Sequence, residues 1–346
     1  MKGSIVVLGE MAGRKLAARI VEGRLDDLLV DPPEDAAPPP GAIFRGICDR
    51  PVKGQGGMFV RLPDGMGFLR GATGLRPGQS LLVQATGFAE PGKAVPLTTR
   101  VLFKSKYAIV TPDAPGINVS RGIRDEELRV HLLDVATDVL GGAKEPGLIL
   151  RSAAAVASDD EIAEDILAMR DLATAVLGDA TGAEPELLVD GPDAQMVAWR
   201  DWESADILAD GPTALEDHGV PEMIASVTAP RIVLSGGGHA WIEPTHALIA
   251  VDVNTGGDTS PAASLKANIA LARDLPRQLR CRGLGGQIVV DFAPLPKKDR
   301  RQLETVLRAA FKADAIETAL VGWTQMGNFE LQRKRERLPL DDLKLT

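Results

Sequence analysis

The sequence predicts an α/β protein of several subdomains, and three observations lead to this fold class. Many short β-like runs broken by glycine fill residues 41–102, which is typical of a small β-barrel. Apolar residues recur at helical spacing in residues 125–140, and residues 159–177 read as a helix with acidic residues in its first turn. In the last third, two apolar runs flank a predicted helix, and strand, helix and strand in succession favour a parallel pair.

The composition is that of a globular protein with a hydrophobic core. The chain has 346 residues, of which 45% are hydrophobic, enough for two or three compact domains. Because no apolar run reaches about 18 residues and the apolar N-terminal stretch is too short for a signal peptide, we expect a cytoplasmic protein without a membrane partner. The two cysteines and four histidines lack metal-ligand spacing, so we expect neither a disulfide framework nor a cysteine zinc site.

Charge is distributed unevenly along the chain. The net charge of −9 alone argues against binding to nucleic acid. Residues 266–337, however, hold 15 Lys and Arg against 8 Asp and Glu. Phosphate binding depends on the local field, so a basic C-terminal third on an acidic body is compatible with RNA. The alternative is that these charges lie on solvated helix faces.

The first third of the chain reads as short strands. Residues 4–30 are predicted to form two or three strands, and the proline-rich residues 31–40 a linker. Five β-like runs follow, at residues 42–46, 58–62, 67–69, 80–85 and 95–103. Their number and regular spacing make an OB-fold the natural candidate.

Strands and helices alternate in the last third. Residues 235–238 separate two β-like runs and predict a hairpin. Residues 247–251 form a continuous apolar run, as expected for a strand buried on both faces, and residues 287–292 read as a second buried strand. Helices are predicted at residues 262–280 and 298–313.

The strongest chemical signal is the pair Asp252 and Asp291. Each ends an apolar strand, and parallel neighbours lie about 4.8 Å apart, so the two carboxylates can converge on one cation. Hard oxygen ligands favour Mg²⁺, with Mn²⁺ as an alternative, and such an ion activates water beside a phosphate. Asn254 could orient the ligand or reach the phosphate. The competing interpretation is that both aspartates cap strand ends or the next helix, and spacing alone names no substrate.

Six segments of the sequence resemble those of the ribonuclease E/G family, and they occur in the family's order. They are residues 93–99, 119–123, 147–153, 235–256, 284–292 and 322–335. The resemblance implies an endoribonuclease that cuts single-stranded, AU-rich RNA. It implies that Asp252 and Asp291 hold Mg²⁺ and that Asn254 positions one of them.

The resemblance also implies an architecture. A ribonuclease-H-like scaffold would be interrupted by an OB-fold and a 5′-end sensor, and followed by a DNase I-like α/β catalytic subdomain. The predicted bounds are 1–40 and 186–229 for the two scaffold parts, 41–102 for the barrel, 103–185 for the sensor and 230–346 for the catalytic subdomain.

RNA contacts follow from the same resemblance. Phe59 and Phe68 would stack nucleobases on the barrel, and Lys93 would meet the phosphate backbone. The alternative is that both phenylalanines belong to the barrel core. Four cations of the last third are further candidates to track the backbone, although several of them must simply face solvent: Lys266, Arg273, Arg277 and Arg280.

A 5′-terminal monophosphate would be bound by Arg151 and Ser152. The guanidinium offers a fork of donors and the hydroxyl another, and Arg121 would assist. The family usually has Thr at the position of Ser152, and Ser keeps the hydroxyl. The alternative is a surface pair at a strand end.

Two departures from the family pattern leave another function open. Pro294 stands where the family commonly has an aspartate, and an arginine is absent around residues 256–257. An alternative is therefore a catalytically weak or inactive RNA-binding relative, and a phosphodiesterase for a small nucleotide is a weaker one. The sequence ends before the family's C-P-x-C zinc link, so we expect no zinc and, if the chain assembles, a homo-oligomer without that link.

Overall fold

A computed structural model describes residues 3–52, 56–89, 92–141 and 146–345. The chain divides into two compact units. The discontinuous unit comprises residues 1–34 and 205–346, and the inserted unit comprises residues 35–204. Each unit is described by itself below. Among the residues described, no helix is both long and apolar enough to cross a membrane.

The discontinuous unit begins with three antiparallel strands, β1 (Ser4–Met11), β2 (Arg14–Val21) and β3 (Arg24–Val30). Both connections are two-residue turns with positive φ at each position: Ala12 and Gly13, then Glu22 and Gly23. Such turns match the twist of antiparallel strands. The strands predicted for residues 4–30 are confirmed.

The inserted unit opens with a closed five-stranded barrel. Its strands are β4 (Ile43–Val52), β5 (Gly57–Leu62), β6 (Gly65–Arg70), β7 (Ser80–Ala85) and β8 (Val95–Thr98). They pair in the order β4-β5-β6-β8-β7, and β7 pairs again with β4 to close the ring. Val60, Leu69 and Val83 point inward and are at most 3% exposed. The predicted barrel is confirmed, and it is OB-like.

A four-stranded sheet with two helices follows the barrel. Its elements are β9 (Phe103–Lys104), β10 (Ala108–Thr111), β11 (Ile117–Val119), α1 (Glu126–Val139), β12 (Gly147–Leu150) and α2 (Asp159–Gly178). The Ser158 side chain accepts a hydrogen bond from the Glu161 N–H, while the Glu161 carboxylate accepts one from the Ser158 N–H. This capping box fixes where α2 begins. The helices predicted at residues 125–140 and 159–177 are both confirmed.

The inserted unit ends with β13 (Glu186–Val189) and α3 (Ala194–Asp201). Strand β13 pairs antiparallel with β4, so residues 186–189 extend the barrel sheet. Sequence reasoning groups residues 186–229 as the second part of the scaffold, and the two compact units separate within that range, at residues 204–205. The finer division into named subdomains stays a prediction.

The chain then completes the first sheet of the discontinuous unit. Strand β14 (Ile207–Ala209) pairs parallel with β1, giving the order β14-β1-β2-β3. Helices α4 (Ala214–Asp217) and α5 (Val220–Thr228) contribute Leu215 and Ile224 to the core of this sheet.

A second sheet follows, which we call the catalytic sheet because it carries the predicted catalytic pair Asp252 and Asp291. Its strands are β15 (Arg231–Val233), β16 (His239–Pro244), β17 (Ile249–Asn254), β18 (Gly286–Asp291), β19 (Thr318–Trp323) and β20 (Phe329–Arg333), in the order β15-β16-β17-β18-β20-β19. Its helices are α6 (Pro261–Cys281) and α7 (Lys297–Ala313), and α8 (Leu340–Leu343) comes last in the chain. The hairpin, the parallel β17–β18 pair and both long helices are as predicted.

One expectation for the catalytic sheet is wrong. Strands β17 and β18 are not buried on both faces, because burial alternates along each. Val251 and Val290 pack with α6 and α7 and are at most 2% exposed. Asp252 and Asp291 lie on the opposite face and are exposed. Since α6 and α7 pack on a single face, apolar and polar residues alternate as in a half-buried sheet.

Candidate active site

Asp252 and Asp291 are register partners on the adjacent parallel strands β17 and β18. Side chains at paired positions project to the same face, so the two carboxylates lie side by side on the open face of the catalytic sheet. Both aspartates are exposed. The structure therefore brings together the two residues that the sequence selects, and their role as metal ligands stays a prediction.

Asn254 adds an amide to this pair. Its Nδ2 donates a hydrogen bond of 2.5 Å to Oδ2 of Asp252. The contact fixes one carboxylate oxygen and leaves the other open to a ligand. Of the two roles expected for Asn254, the geometry favours orientation of Asp252.

The donor set fits a hard divalent cation. Within the described part of the chain, no cluster of three or more His, Cys, Asp and Glu residues suited to a metal occurs. Two carboxylates and an amide nevertheless suffice for Mg²⁺, which keeps several waters and binds through one or two protein carboxylates together with substrate phosphate. The pair Asp252 and Asp291 is therefore chemically suited to Mg²⁺ or Mn²⁺ shared with a phosphate.

A buried amide fixes the segment that follows Asp291. Asn268 on α6 is 0% exposed, and its Nδ2 donates to the Ala293 carbonyl at 2.8 Å. The Ala293 N–H donates back to Oδ1 of Asn268 at 3.0 Å. Ala293 lies two residues beyond Asp291, so α6 holds the end of β18 at the site. Asn268 therefore fixes the backbone of the segment that follows Asp291.

The loop at residues 235–238 lies against the same end of the sheet. Gly236 and Gly238 have φ of 89° and 86°, which favour glycine. A Cβ at Gly238 would lie 2.5 Å from the Asn254 carbonyl oxygen, and one at Gly236 would lie 2.3 Å from Cε of Lys266. The exposed Lys266 side chain therefore lies over this loop, beside the end of β17.

Phe59 and Phe68 face each other across β5 and β6. They are register partners, with ring centroids 5.4 Å apart. Both are half-buried and lie outside the barrel core, which refutes the alternative that they fill it. The Arg50 guanidinium lies 5.1 Å from the Phe59 ring centroid. A Cβ at Gly57 would lie 2.5 Å from the Phe68 ring, so this glycine makes room for it.

Lys93 lies just before β8, the strand that pairs with β6 and its Phe68. It is exposed and precedes β8 by two residues. Within β8, Pro96 is the register partner of Phe68. The predicted cation therefore lies on the segment that leads into the strand beside Phe68.

Arg151 is engaged within the inserted unit. Its Nη2 donates to Oδ1 of Asp201 at 2.7 Å, and its Nη1 donates to the carbonyls of Ser105 and Arg200 at 2.6 and 2.9 Å. Only 17% of its side chain is exposed. A phosphate at this arginine would therefore have to share the guanidinium with Asp201.

Asp201 gathers three cations. Lys104 Nζ lies 2.7 Å from its Oδ1 and Arg200 Nη2 lies 2.8 Å from its Oδ2, in addition to the Arg151 contact. Burial alone would raise the pKa of Asp201, but hydrogen bonds and charges from Arg200 and Lys104 outweigh it and lower the pKa to about 2. The carboxylate therefore remains charged at neutral pH and anchors Arg151.

Ser152 and the loop of Arg121 lie next to each other. The Ser152 and Ser120 hydroxyl oxygens are 2.8 Å apart, and the Gly122 N–H donates to Oγ of Ser120 at 3.2 Å. Ser152 and Arg121 are exposed. The structure therefore places Ser152 beside the loop that carries Arg121, and binding of a 5′-phosphate there stays a prediction.

Comparison with known proteins decides the family. The model of the Ribonuclease E/G family matches residues 103–216 and 208–336. This chain belongs to the ribonuclease E/G family.

Relatives from several bacteria support the assignment. Ribonuclease E of Synechocystis sp. is 30% identical over 388 residues, which cover 99% of this chain and 56% of that protein. Ribonuclease E of Nostoc sp. is 27% identical, covering 93% and 54%. Ribonuclease G of Salmonella typhimurium is 28% identical, covering 76% and 61%. The chain therefore spans little more than half the length of the first two relatives and about three-fifths of the third.

Two candidate cations in this ribonuclease E/G family chain are engaged elsewhere. Arg277 donates to Asp274 and to the Leu25 carbonyl, each at 2.7 Å. Arg280 pairs with Asp314 and donates to the Asp26 carbonyl at 2.7 Å. Their guanidinium groups already bind residues of the discontinuous unit, and a role of either arginine along an RNA backbone stays a prediction.

Sequence reasoning missed Asn268 in this family member, although a signal was present. The buried stripe of α6 runs through Ala267, Leu271, Leu275 and Leu279, and Asn268 lies on the same side. A polar residue on an apolar helix face needs a hydrogen-bonding partner. The missing information was the partner, which lies 25 residues away in sequence.

Proposed function

We propose that the chain is a metal-dependent endoribonuclease that hydrolyses phosphodiester bonds of single-stranded RNA, in RNA processing or decay. The observation that carries the proposal is the in-register pair Asp252 and Asp291 on an open sheet face, in a chain of the ribonuclease E/G family. Relatives named Ribonuclease E and Ribonuclease G agree with RNA as the substrate.

Asp252 and Asp291 would hold Mg²⁺, or Mn²⁺, together with a substrate phosphate. A divalent cation held there would activate a water molecule and offset the charge that develops on the phosphate. Asn254 keeps the Asp252 carboxylate in place, and Asn268 keeps the segment after Asp291 in place. Hydrolysis then joins the water oxygen to phosphorus and breaks one phosphorus–oxygen ester bond.

The remaining RNA contacts are part of the same proposal. The outward pair Phe59 and Phe68 would stack nucleobases, as exposed aromatics on OB-like barrels do. Lys93 and Lys266 would meet the phosphate backbone. A 5′-terminal monophosphate would bind at a surface formed by three residues of the inserted unit: Ser152, Arg121 and Arg151.

The test compares carboxylate variants on one RNA. Wild type should cleave a 5′-monophosphorylated AU-rich oligonucleotide with Mg²⁺ and stop when EDTA is added. Asp252→Asn and Asp291→Asn should each abolish cleavage while RNA affinity stays near that of wild type. Glu243→Gln is the matched control, because it removes an exposed carboxylate from β16, next to β17, and should leave cleavage unchanged. Wild-type cleavage by Asp252→Asn would refute the proposal.

A specific observation supports a second candidate, an RNA-binding relative with little or no activity. Pro294 is exposed directly after Ala293, at the position where the family pattern has a further carboxylate. A proline there supplies no oxygen ligand and no side-chain charge. RNA binding by wild type without any cleavage that EDTA suppresses would favour this candidate over the first.

A further inference from the structure

Four residues on four adjacent strands form one continuous rung of the catalytic sheet. Arg231 on β15 pairs with Trp241 on β16, Trp241 pairs with Asp252 on β17, and Asp252 pairs with Asp291 on β18. Paired residues project to the same face. A cation and an indole therefore continue the line of the two carboxylates toward the β15 edge.

The burial pattern of β16 confirms the face. Ala240 and Ile242 point into the core beneath the sheet and are at most 1% exposed. Trp241 lies between them and is half-buried, with its side chain on the open face. Its indole is therefore available beside Asp252.

A second tryptophan of this sheet, Trp323, has a structural role, in contrast to Trp241. Trp323 packs against Phe292 and Phe329, with ring centroids 5.8 and 5.2 Å away, and donates to Glu304 at 2.6 Å. Trp241 instead has exposed, charged register partners on both sides, Arg231 and Asp252. An indole between a cation and a carboxylate pair is suited to a ligand that carries both a flat base and phosphates.

We infer that Trp241 and Arg231 form a nucleotide subsite beside the carboxylate pair. The indole stacks on the base of a nucleotide adjoining the scissile phosphate, and the guanidinium binds the next phosphate of the strand. Aromatic side chains next to cations bind single strands in this way. The inference rests on the proposed function, since it places the RNA relative to Asp252 and Asp291.

The experiment couples the indole to one base. Binding of a short AU-rich RNA is measured in EDTA, so that no strand is cut, with a series of oligonucleotides that each lack one base. In wild type, loss of the stacked base should weaken binding roughly 5- to 100-fold. Trp241→Ala should bind the intact RNA more weakly than wild type does, by that same factor. Removal of the stacked base should then weaken the binding of Trp241→Ala no further. Trp241→Phe should restore most of the affinity.

Arg231 and a control complete the design. Arg231→Gln should reduce the slope of log affinity against log salt by about one, as expected for one lost phosphate contact. Val321→Ala, which trims an exposed side chain on the β19 edge strand of the sheet, should change neither quantity.

Defined results would overturn the inference. Stacking would be refuted if removal of each base weakened RNA binding by the same factor in wild type and in Trp241→Ala. It would also be refuted if Trp241→Phe bound the intact RNA as weakly as Trp241→Ala does. If wild type binds and cleaves RNA but the effects of removing the Trp241 indole and of removing a base are independent at every position, the nucleotide subsite is refuted and the proposed function stands. If wild type neither binds nor cleaves RNA, the proposed function fails and the subsite fails with it.

Discussion

Asn268 and Ala293 are joined by two reciprocal hydrogen bonds, of 2.8 and 3.0 Å, between a side-chain amide and the backbone C=O and N–H of one residue. The amide lies on the helix that connects the two strands of the aspartate pair, and Ala293 lies two residues after Asp291. Ala293 is 3% exposed, so water cannot replace either bond at no cost. Through this contact, a helix on the buried face of the catalytic sheet fixes the backbone next to Asp291, whose carboxylate lies on the open face.

Substituting this amide should damage the site as well as the fold. Asn268→Leu leaves two buried backbone groups without partners, which should lower the free energy of unfolding by about 2–5 kcal/mol. The segment after Asp291 should then move, so Mn²⁺ binding measured by calorimetry should weaken severalfold in the folded variant. Gln278→Leu is the control, because Gln278 is a buried amide of the same helix bonded to Asp274. Gln278→Leu should lower the free energy of unfolding and leave Mn²⁺ affinity unchanged. Equal Mn²⁺ affinity in the two variants would show that Asn268 does not position the site.

The outward phenylalanines of the barrel should contribute to RNA affinity without contributing much to the core. Phe59→Ala and Phe68→Ala should each weaken binding of a single-stranded oligonucleotide roughly 5- to 100-fold, because each removes a stacking ring. Leu102→Ala removes another exposed apolar side chain of the inserted unit and should leave binding unchanged. Fluorescence anisotropy with a labelled RNA measures both. Wild-type affinity in the two phenylalanine variants would exclude stacking at this face.

The hydroxyl of Ser152 should discriminate between RNA 5′ ends. Ser152→Ala should reduce the cleavage preference for 5′-monophosphorylated over 5′-hydroxyl RNA severalfold, while Ser152→Thr, which keeps a hydroxyl, should retain it. The measurement is the ratio of kcat/KM for the two RNAs. Arg151 is a poorer target, because its removal also leaves Asp201 without one of its partners. An unchanged ratio in Ser152→Ala would place the 5′ end elsewhere.

Asp201 should make stability depend on acid pH. Its pKa lies at about 2 in the folded chain, and an unfolded aspartate titrates near ~3.9. Because the folded pKa is the lower one, the stabilisation is complete above about pH 4 and is lost as the pH falls toward 2. Asp201→Asn should be less stable than wild type at pH 7 and should lose less stability between pH 4 and 2. Urea unfolding across that range measures both.

The control for this pH effect is an exposed ion pair of the same unit. Asp171 pairs with Arg170, but 71% of its side chain is exposed, so Asp171→Asn should follow the wild-type curve. Identical curves for Asp201→Asn and wild type would mean that the three cations around Asp201 contribute nothing to stability.

Local sequence patterns predicted the helices and strands well. They did not predict contacts between residues that lie far apart in sequence. Local sequence patterns located α1, α2, α6 and α7, and the strand–helix–strand order placed Asp252 beside Asp291. The composition of residues 247–251 suggested burial on both faces, because an apolar run does not report whether helices cover one face or two. The rung from Arg231 to Asp252 depends on hairpin register, and the engagement of Arg280 with Asp314 depends on partners far along the chain.

The connectivity of the first sheet has a consequence for biosynthesis. Ser4 at the start of β1 bonds to Asp206, 202 residues later, and β1 pairs with β14 just beyond it. At about 5–20 residues per second, a ribosome needs roughly 10–40 s to supply that partner. The contiguous inserted unit can complete its own contacts in this interval. The edge of β1 that later pairs with β14 stays unpaired during the same time, so it can pair with strands of other nascent chains.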